Sequence, residues 1–416
     1  MAGSDPAQFL PARRMADRQE PLVPPTLLDA LDLGRGRWLL VLETSAGLLL
    51  SAVVEDREGF RRAVAGDGVA EELLARSAAG DEAGRFDFRR LGHVEPWGGE
   101  RPIEVDQSNE SMVVGGMAVV KRFVWTDPGN HRPMVLPAHL LAAGFEEMPT
   151  PLANAGWRDG VGLAPVASIT TYLPDARDGW DRYVELVERG LEDRSLDTVE
   201  PAAELGAITA RLHVALATPT DVLPAPTETA GEDTVAGWRR DAEADLDAAL
   251  SSIDGEEGSR LRGSAERIRE ELRDLRSPET VSIPIHGDLH VGQFLRWRGG
   301  LAVSDLDGDP LGPGTLSGPP ARDVASLVQS LDHVGRIVER RQGGSSAGWI
   351  RESSDACLRA YRDEIAERGA SHLFDEDLLR PFRVAQELHE FVYAARYLPG
   401  WRYVPDRALA AILDPT

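Results

Sequence analysis

Hydrophobic and polar positions alternate in two different rhythms along the chain. In the first 175 residues the apolar positions come in short runs. Trp38 to Glu43 and Leu48 to Val54 predict two strands joined by a Ser45-Ala46-Gly47 turn, followed by a helix over 59–77 and a strand over 86–92. From Ile103 to Val114 the pattern reads strand, turn, strand; Gly115-Gly116 makes the next turn, and Met117 to Phe123 a further strand. Val166 to Leu173 predicts the last strand of this block. The rhythm then becomes helical: Trp180 to Gly190, Pro201 to Ala217 with Leu205, Ile208, Leu212 and Leu216 on one stripe, and an acidic antiparallel pair over 235–252 and 258–276. A helix opened by Ala321-Arg322-Asp323 runs to Val338, and helices continue to about Arg396. Strands first and helices afterwards predict an α/β fold, α+β by stricter usage.

One island breaks the helical part. Val281 to Ile285 predicts a buried strand delivering a His286-Gly287-Asp288 turn; Phe294 to Trp297 and Leu301 to Val303, joined at Gly299-Gly300, predict a hairpin ending in Asp305. Asp288, Gln293 and Asp305 then share neighbouring strand ends. Such acidic groups are costly to bury without a balancing charge. Phosphoryl transfer uses this set: Asp288 orients and deprotonates a hydroxyl, while Gln293 and Asp305 hold Mg2+ on a nucleotide. His286, Asp288, His290 and Asp305 allow a second reading, a metal-dependent hydrolase. His286 reads more simply as a structural donor.

Lys121 points inward from an apolar strand, where an ammonium needs an anionic partner such as a phosphate. The turn carrying Ser108, Asn109 and Ser111 can offer N–H groups and hydroxyls to phosphate oxygens, or be an ordinary hairpin turn.

His286-Gly287-Asp288, a side-chain amide five residues later and an Asp-bearing strand end resemble the aminoglycoside-phosphotransferase-like branch of the protein-kinase fold. Gln293 stands where that pattern usually has Asn. With the Val303 to Pro310 segment, this is most similar to the maltokinase group of actinobacterial sugar kinases and to the glucosamine kinases related to it. Gln107-Ser108-Asn109 ahead of Lys121, the helix around Leu205 to His213, and the Pro399-Gly400-Trp401 segment extend the similarity from about residue 103 to the end.

The resemblance implies a bilobal kinase-like protein with a cap subdomain over 1–95, a five-stranded N-lobe over 96–175 and a mainly helical C-lobe over 176–416. It implies ATP and Mg2+ as cofactors, adenine contacts near Thr171 and Tyr172, and an Asp323 that braces the catalytic turn, where the residues alone suggest a helix N-cap. His213 reads as a satisfied helix residue. Kinases pair the strand lysine with a helix glutamate; here Leu136 occupies that place, with Glu146 and Glu147 as candidate replacements. A nucleotide-binding module without catalysis is therefore a third reading.

Gln386, Glu390 and Tyr393 fall on one helix face beside Trp401, a combination that suits a sugar's hydroxyls and C–H face. Asp307 and Asp309 follow the metal strand, so that with Asp288 and Glu390 the acceptor pocket is strongly anionic. A neutral disaccharide gains little from such a pocket, whereas an ammonium forms charge-assisted hydrogen bonds. Glucosamine, phosphorylated at its primary hydroxyl, is thus the expected acceptor, with maltose second.

A net charge of −24 opposes binding to nucleic acid or anionic membrane. The single cysteine, Cys357, excludes an intramolecular disulfide and fits a cytoplasmic protein. The most apolar stretch, Trp38 to Val54, is interrupted by Glu43, Thr44, Ser45 and Gly47, and the first residues lack an apolar signal core. A monomer or weak homodimer is expected.

Overall fold

The computed structural model describes residues 25–45, 47–57, 59–103, 109–193, 196–276, 279–309 and 316–414. They form two compact units, one from residues up to 141 together with 149–175, the other from 142–148 and the residues from 176 onward.

The first unit is built on strands. β1 (Thr26–Gly34), β2 (Arg37–Thr44), β3 (Gly47–Asp56) and β4 (Gly59–Arg62) form an antiparallel sheet, joined at its far side by β10 (Trp125–Thr126). Alternate residues of β2 serve opposite faces: Leu39 and Val41 pack into the main core, Leu40 and Leu42 into a second cluster with Leu49, Val53 and Val124. The helix expected over 59–77 is corrected at its start. Residues 59–62 pair with the end of β3, Val53 opposite Arg62, and the helix α1 begins only at Val69, ending at Ala79. Glu100 explains that boundary. Its carboxylate accepts the N–H groups of Gly66, Gly68 and Ala70 at 2.9, 2.8 and 3.0 Å, satisfying the donors that a helix start leaves open.

The second sheet has seven strands, β5 (Glu82–Ala83), β6 (Phe86–Arg90), β11 (Pro151–Arg158), β12 (Leu163–Thr171), β9 (Ala118–Arg122), β8 (Glu110–Val114) and β7 (Glu100–Pro102), in that order. The sheet is thus larger than the five strands expected, and β5 and β6, from the segment expected as a cap, belong to it. Both segments also share one hydrophobic cluster, in which Leu73 and Leu74 of α1 lie with Val120, Ala155 and Ile169. Strand β11 went unread because it has no polar alternation: Pro151 to Trp157 is buried throughout, with small residues from Ala153 to Gly156 at its centre. A Cβ on Gly156 would lie 2.7 Å from Leu163, so the small centre lets β12 approach. Helix α2 (Arg132–Ala142) completes this part, with Leu136 wholly buried.

The second unit is mainly helical: α3 (Gly179–Glu192), α4 (Glu200–Ala217), α5 (Glu232–Ser252), α6 (Gly255–Leu272), α7 (Pro320–Gln342), α8 (Ala347–Glu367), α9 (Leu379–Tyr397) and α10 (Tyr403–Leu413). Helices α4 and α8 pack closely because Gly206 has no side chain; a Cβ there would lie 2.0 Å from the Cys357 carbonyl oxygen. Two small three-stranded sheets carry the island read from sequence. β13 (Arg177–Asp178), β16 (Phe294–Trp297) and β17 (Gly300–Val303) form one; β14 (Glu228–Thr229), β15 (Val281–Pro284) and β18 (Ser317–Gly318) form the other. Among the described residues no helix is long and apolar enough to cross a membrane.

Candidate active site

The His286-Gly287-Asp288 turn leaves the end of β15 and is fixed from below by a buried carboxylate. Asp323, in the first turn of α7, accepts the N–H of His286 at 2.7 Å and that of Gly287 at 2.8 Å. It also faces Nε2 of His213 at 3.2 Å, while the hydroxyl of Tyr361 meets Nδ1 of the same ring at 2.9 Å. Asp323 is therefore a brace and not the helix cap, a place taken by Pro319, which has no side-chain donor or acceptor. Burial opposes the charge on Asp323, but the hydrogen bond and charge of His213 prevail and hold its carboxyl below the usual value. Gly287 sits at φ +82°, a conformation that makes glycine the natural residue between His286 and Asp288.

His286 is buried and committed to the turn. Its Nε2 lies 2.9 Å from the Ser304 carbonyl, so it is the donor, and Nδ1 accepts the N–H of Asp288 at 3.4 Å. His290 caps the short 3-10 turn Val291–Gln293, its Nδ1 accepting the Gly292 N–H at 3.1 Å, and burial lowers its pKa to about 4. Both imidazoles thus spend acceptor atoms on backbone. Among the described residues no group of three His, Cys, Asp or Glu side chains is placed to hold a metal ion.

The same turn and the hairpin bring the expected oxygen donors together. The Gln293 carbonyl accepts the Ser304 N–H at 2.8 Å and its hydroxyl at 3.0 Å, which ties the 3-10 turn to the residue before Asp305. The Gln293 side-chain amide lies 3.5 Å from Asp288 Oδ2, so Nε2 points to the carboxylate and Oε1 away from it. Asp305 adopts φ +59°, a left-handed conformation uncommon outside glycine, of the kind found where a side chain is held in place for function. Gly179 lets α3 start against this turn; a Cβ there would lie 1.9 Å from the Val291 carbonyl oxygen.

Several charges converge on Asp288. Burial pushes the Asp288 carboxyl well above its usual range, and the charges of Asp309, Asp305 and Glu390 push it further, with His389 opposing. These side chains therefore share one field, from the turn, the loop after β17 and helix α9. Asp307 lies on that loop between Asp305 and Asp309. On α9, Gln386 donates to Glu390 at 3.1 Å, and the Tyr393 ring lies 5.1 Å from that of Tyr397. The Trp401 ring lies 5.6 Å from that of Trp180 at the start of α3.

Three features escaped the sequence reading: Trp180 as the partner of Trp401, Asp245 of α5 with His389, and a buried group beneath α9. In the last, Glu387 meets His333 at 2.9 Å and Gln329, whose Oε1 accepts from Arg383 at 2.5 Å. Of this group the sequence shows only that Glu387 stands beside Gln386. The pairing of Asp309 with His389, at 3.4 Å, also corrects the expectation of an unrelieved anionic pocket.

The residues expected to hold the nucleotide lie in the first unit. Lys121 on β9 stands opposite Ser111 of β8 and Ser168 of β12. The Asn109 side-chain oxygen accepts the Val124 N–H at 3.3 Å. The N–H groups of Thr171 and Tyr172 are taken by the Thr150 and Met117 carbonyls at 2.9 and 2.8 Å. Ser108 lies outside the described residues. Glu147 belongs to the second unit and pairs with Arg211 at 2.5 Å, so its carboxylate is committed there, and Glu146 is exposed.

An aspartate-bearing turn braced by a buried carboxylate, with Gln293 and Asp305 beside it on a mixed helix and sheet scaffold, is the arrangement expected of a phosphotransferase. No family model matches the chain. It is 40% identical to a glucosamine kinase of Streptacidiphilus jiangxiensis over 99% of this chain and 97% of that protein. It is 36% identical to a glucosamine kinase of Mycolicibacterium smegmatis, covering 93% of this chain and 98% of the other. A solved glucosamine kinase in complex with glucosamine, ADP and inorganic phosphate superposes with a TM-score of 0.81 at 37% identity, covering 99% of this chain and 98% of that one. The chain belongs to the glucosamine kinase family.

Proposed function

We propose that the protein transfers the γ-phosphoryl group of ATP to the primary hydroxyl of glucosamine, giving glucosamine 6-phosphate and ADP. The observation that carries this is the shared field of Asp288, Asp305, Asp309 and Glu390. Two kinds of cation relieve such a field, a metal ion on the nucleotide side and an ammonium on the acceptor side. The relatives named glucosamine kinases agree with the second.

Asp288 orients the hydroxyl and accepts its proton as the sugar oxygen attacks the γ-phosphorus; the bond to the β–γ bridging oxygen breaks and its electron pair leaves with ADP. The Gln293 amide oxygen and the Asp305 carboxylate are hard oxygen donors of the kind Mg2+ takes together with phosphate oxygens, and two protein ligands suffice for it. Bound there, Mg2+ would neutralise charge on the β- and γ-phosphates. Lys121 and the turn of Ser108, Asn109 and Ser111 hold the phosphates in this reading. Adenine would meet the strand end at Thr171 and Tyr172 through carbonyl oxygens, since both N–H groups are used. Gln386, Glu390, Tyr393, Asp307 and Asp309 present hydrogen bonds to the sugar, and Trp401 its aromatic face. We place the reaction in the cytoplasm, where ATP and a reduced Cys357 coexist.

The test compares glucosamine, N-acetylglucosamine, glucose and maltose at equal concentration by ADP release, with 31P NMR of the product. Glucosamine should be the preferred acceptor by at least tenfold in kcat/KM. Equal turnover of glucose or maltose would remove the ammonium argument, and ADP release with no acceptor preference would remove the sugar kinase reading for this chain.

A further inference from the structure

Helix α9 carries Gln386, Glu390 and Tyr393, and between the first two stands His389. Its ring lies between two carboxylates from different elements. Nδ1 is 3.3 Å from Oδ2 of Asp245 on α5, and Nε2 is 3.4 Å from Oδ2 of Asp309 on the loop after β17. An ionised carboxylate can only accept, so both ring nitrogens must carry hydrogen, which only the imidazolium allows. The ring is 22% exposed, and Asp309 14%. Burial works against this cation, but the hydrogen bonds to Asp245 and Asp309 outweigh it and carry the ring's pKa up to about 10.

We infer that His389 is a positioning residue for the acceptor site: as a fixed cation it anchors Asp309 through one carboxylate oxygen, offsets its charge, and ties the acceptor loop to α5 through Asp245. The contact with the His389 ring takes one of the roughly four lone-pair sites of the Asp309 carboxylate. The clamp also acts on the base, since the charge of His389 opposes the three carboxylates that act on Asp288. An acidic loop of Asp305, Asp307 and Asp309 would otherwise repel itself away from the pocket, and nothing in its own sequence supplies a counter-charge.

This rests on the glucosamine kinase reading for its acceptor half, and the experiment separates the two. Wild type, His389→Gln, Asp245→Asn and the double variant are compared for KM of glucosamine, KM of ATP and kcat. His389→Gln should raise the KM for glucosamine about tenfold with the KM for ATP within twofold of wild type. Asp245→Asn should raise the glucosamine KM about threefold, and the double variant should match His389→Gln alone, because Asp245 acts only through the ring. Independently, 15N NMR of histidine-labelled protein at pH 7.5 should show the His389 ring doubly protonated, and singly protonated at the same pH in Asp245→Asn or with a clear shift toward it. A neutral His389 in wild type overturns the inference whatever the kinetics. So does a folded His389→Gln with unchanged glucosamine KM, or additive effects in the double variant. If wild type binds a protonated His389 yet does not phosphorylate glucosamine, the functional reading falls and the acceptor role falls with it, while the clamp itself stands. Should His389→Gln fail to fold, Asp245→Asn, at a 32% exposed position, carries the kinetic arm alone.

Discussion

Replacing Asp323 by asparagine tests whether the His286-Gly287-Asp288 turn is held by one buried carboxylate. In the native protein that group, 1% exposed, takes the N–H groups of His286 and Gly287 and faces the His213 ring. Asparagine keeps one acceptor oxygen and puts an N–H2 donor against a backbone N–H or against His213. At least one buried donor loses its partner, at about 1–3 kcal/mol, and a charge-assisted bond becomes neutral, at about 1 kcal/mol more. The expected loss of stability is about 2–4 kcal/mol, a sizeable part of the 5–15 kcal/mol typical of a folded domain. The turn would also shift, and a misplacement of about 1 Å at reacting groups costs on the order of 100-fold in rate. Urea denaturation followed by circular dichroism measures the first effect, and ADP release the second. The pH dependence supplies a further constraint. The Asp323 carboxyl is held below its usual value, so its contribution is present above the unfolded carboxyl pKa of about 3.9 and is lost as pH falls through the folded value. The stability gap between wild type and variant should therefore narrow in acid. A gap below about 0.5 kcal/mol at pH 7, or one that widens toward pH 4, would refute the brace.

Asp288→Asn should lower kcat by about 10²–10⁴-fold while calorimetric ATP affinity stays near wild type; a rate close to wild type would remove Asp288 as the base. Gly179→Ala places a methyl 1.9 Å from the Val291 carbonyl, so the turn bearing Gln293 must move; we expect about 1–3 kcal/mol of destabilisation and a higher Mg2+ requirement for turnover, and an unchanged Mg2+ titration would show that the turn does not hold the ion. In Glu387→Gln, His333 loses the carboxylate that, against burial, carries its pKa to about 9. A raised histidine stabilises fully below about pH 6.5 and ceases to do so as pH rises through the folded value, so the gap between wild type and variant should be largest near pH 6 and shrink toward pH 9; a gap constant over that range would disprove the ion pair.

What could be read from sequence were the elements whose rhythm is self-sufficient. The hairpin β2–β3, the helices α3 and α4 with their apolar stripes, and the β15–β17 island all fall where their patterns place them. The reading failed where structure depends on distant partners. Residues 59–62 become a strand only because β3 offers them an edge, and α1 starts at Val69 because Glu100, about thirty residues on, fills its open N–H groups. Strand β11 is a central strand buried on both faces and has no periodicity to detect. That Asp288, Gln293 and Asp305 lie near one another was legible because a short motif places them within one hairpin's length. His389, Asp245 and Trp180 were not, since their significance lies in contacts across more than 70 residues of chain.

Those unread partners change how the acceptor pocket's charge is divided. Counting from sequence, Asp288, Asp307, Asp309 and Glu390 stood together as unbalanced anions, and the case for an ammonium rested on their sum. In the structure Asp309 and Asp245 share the His389 cation, and on the proposed function Asp305 would face a metal ion on the nucleotide side. The field that raises Asp288 then comes chiefly from its burial and from charges that a bound nucleotide's metal and His389 would offset, with Glu390 outside both pairings. Glu390 is steadied by Gln386 at 3.1 Å, a neutral donor that leaves its charge in place. A positive group on the acceptor would answer Glu390, the carboxylate outside both pairings. On the proposed function the ammonium of an amino sugar meets that charge, whereas a neutral glucose or maltose would leave Glu390 facing hydroxyls alone, which form weaker hydrogen bonds to it than an ammonium does.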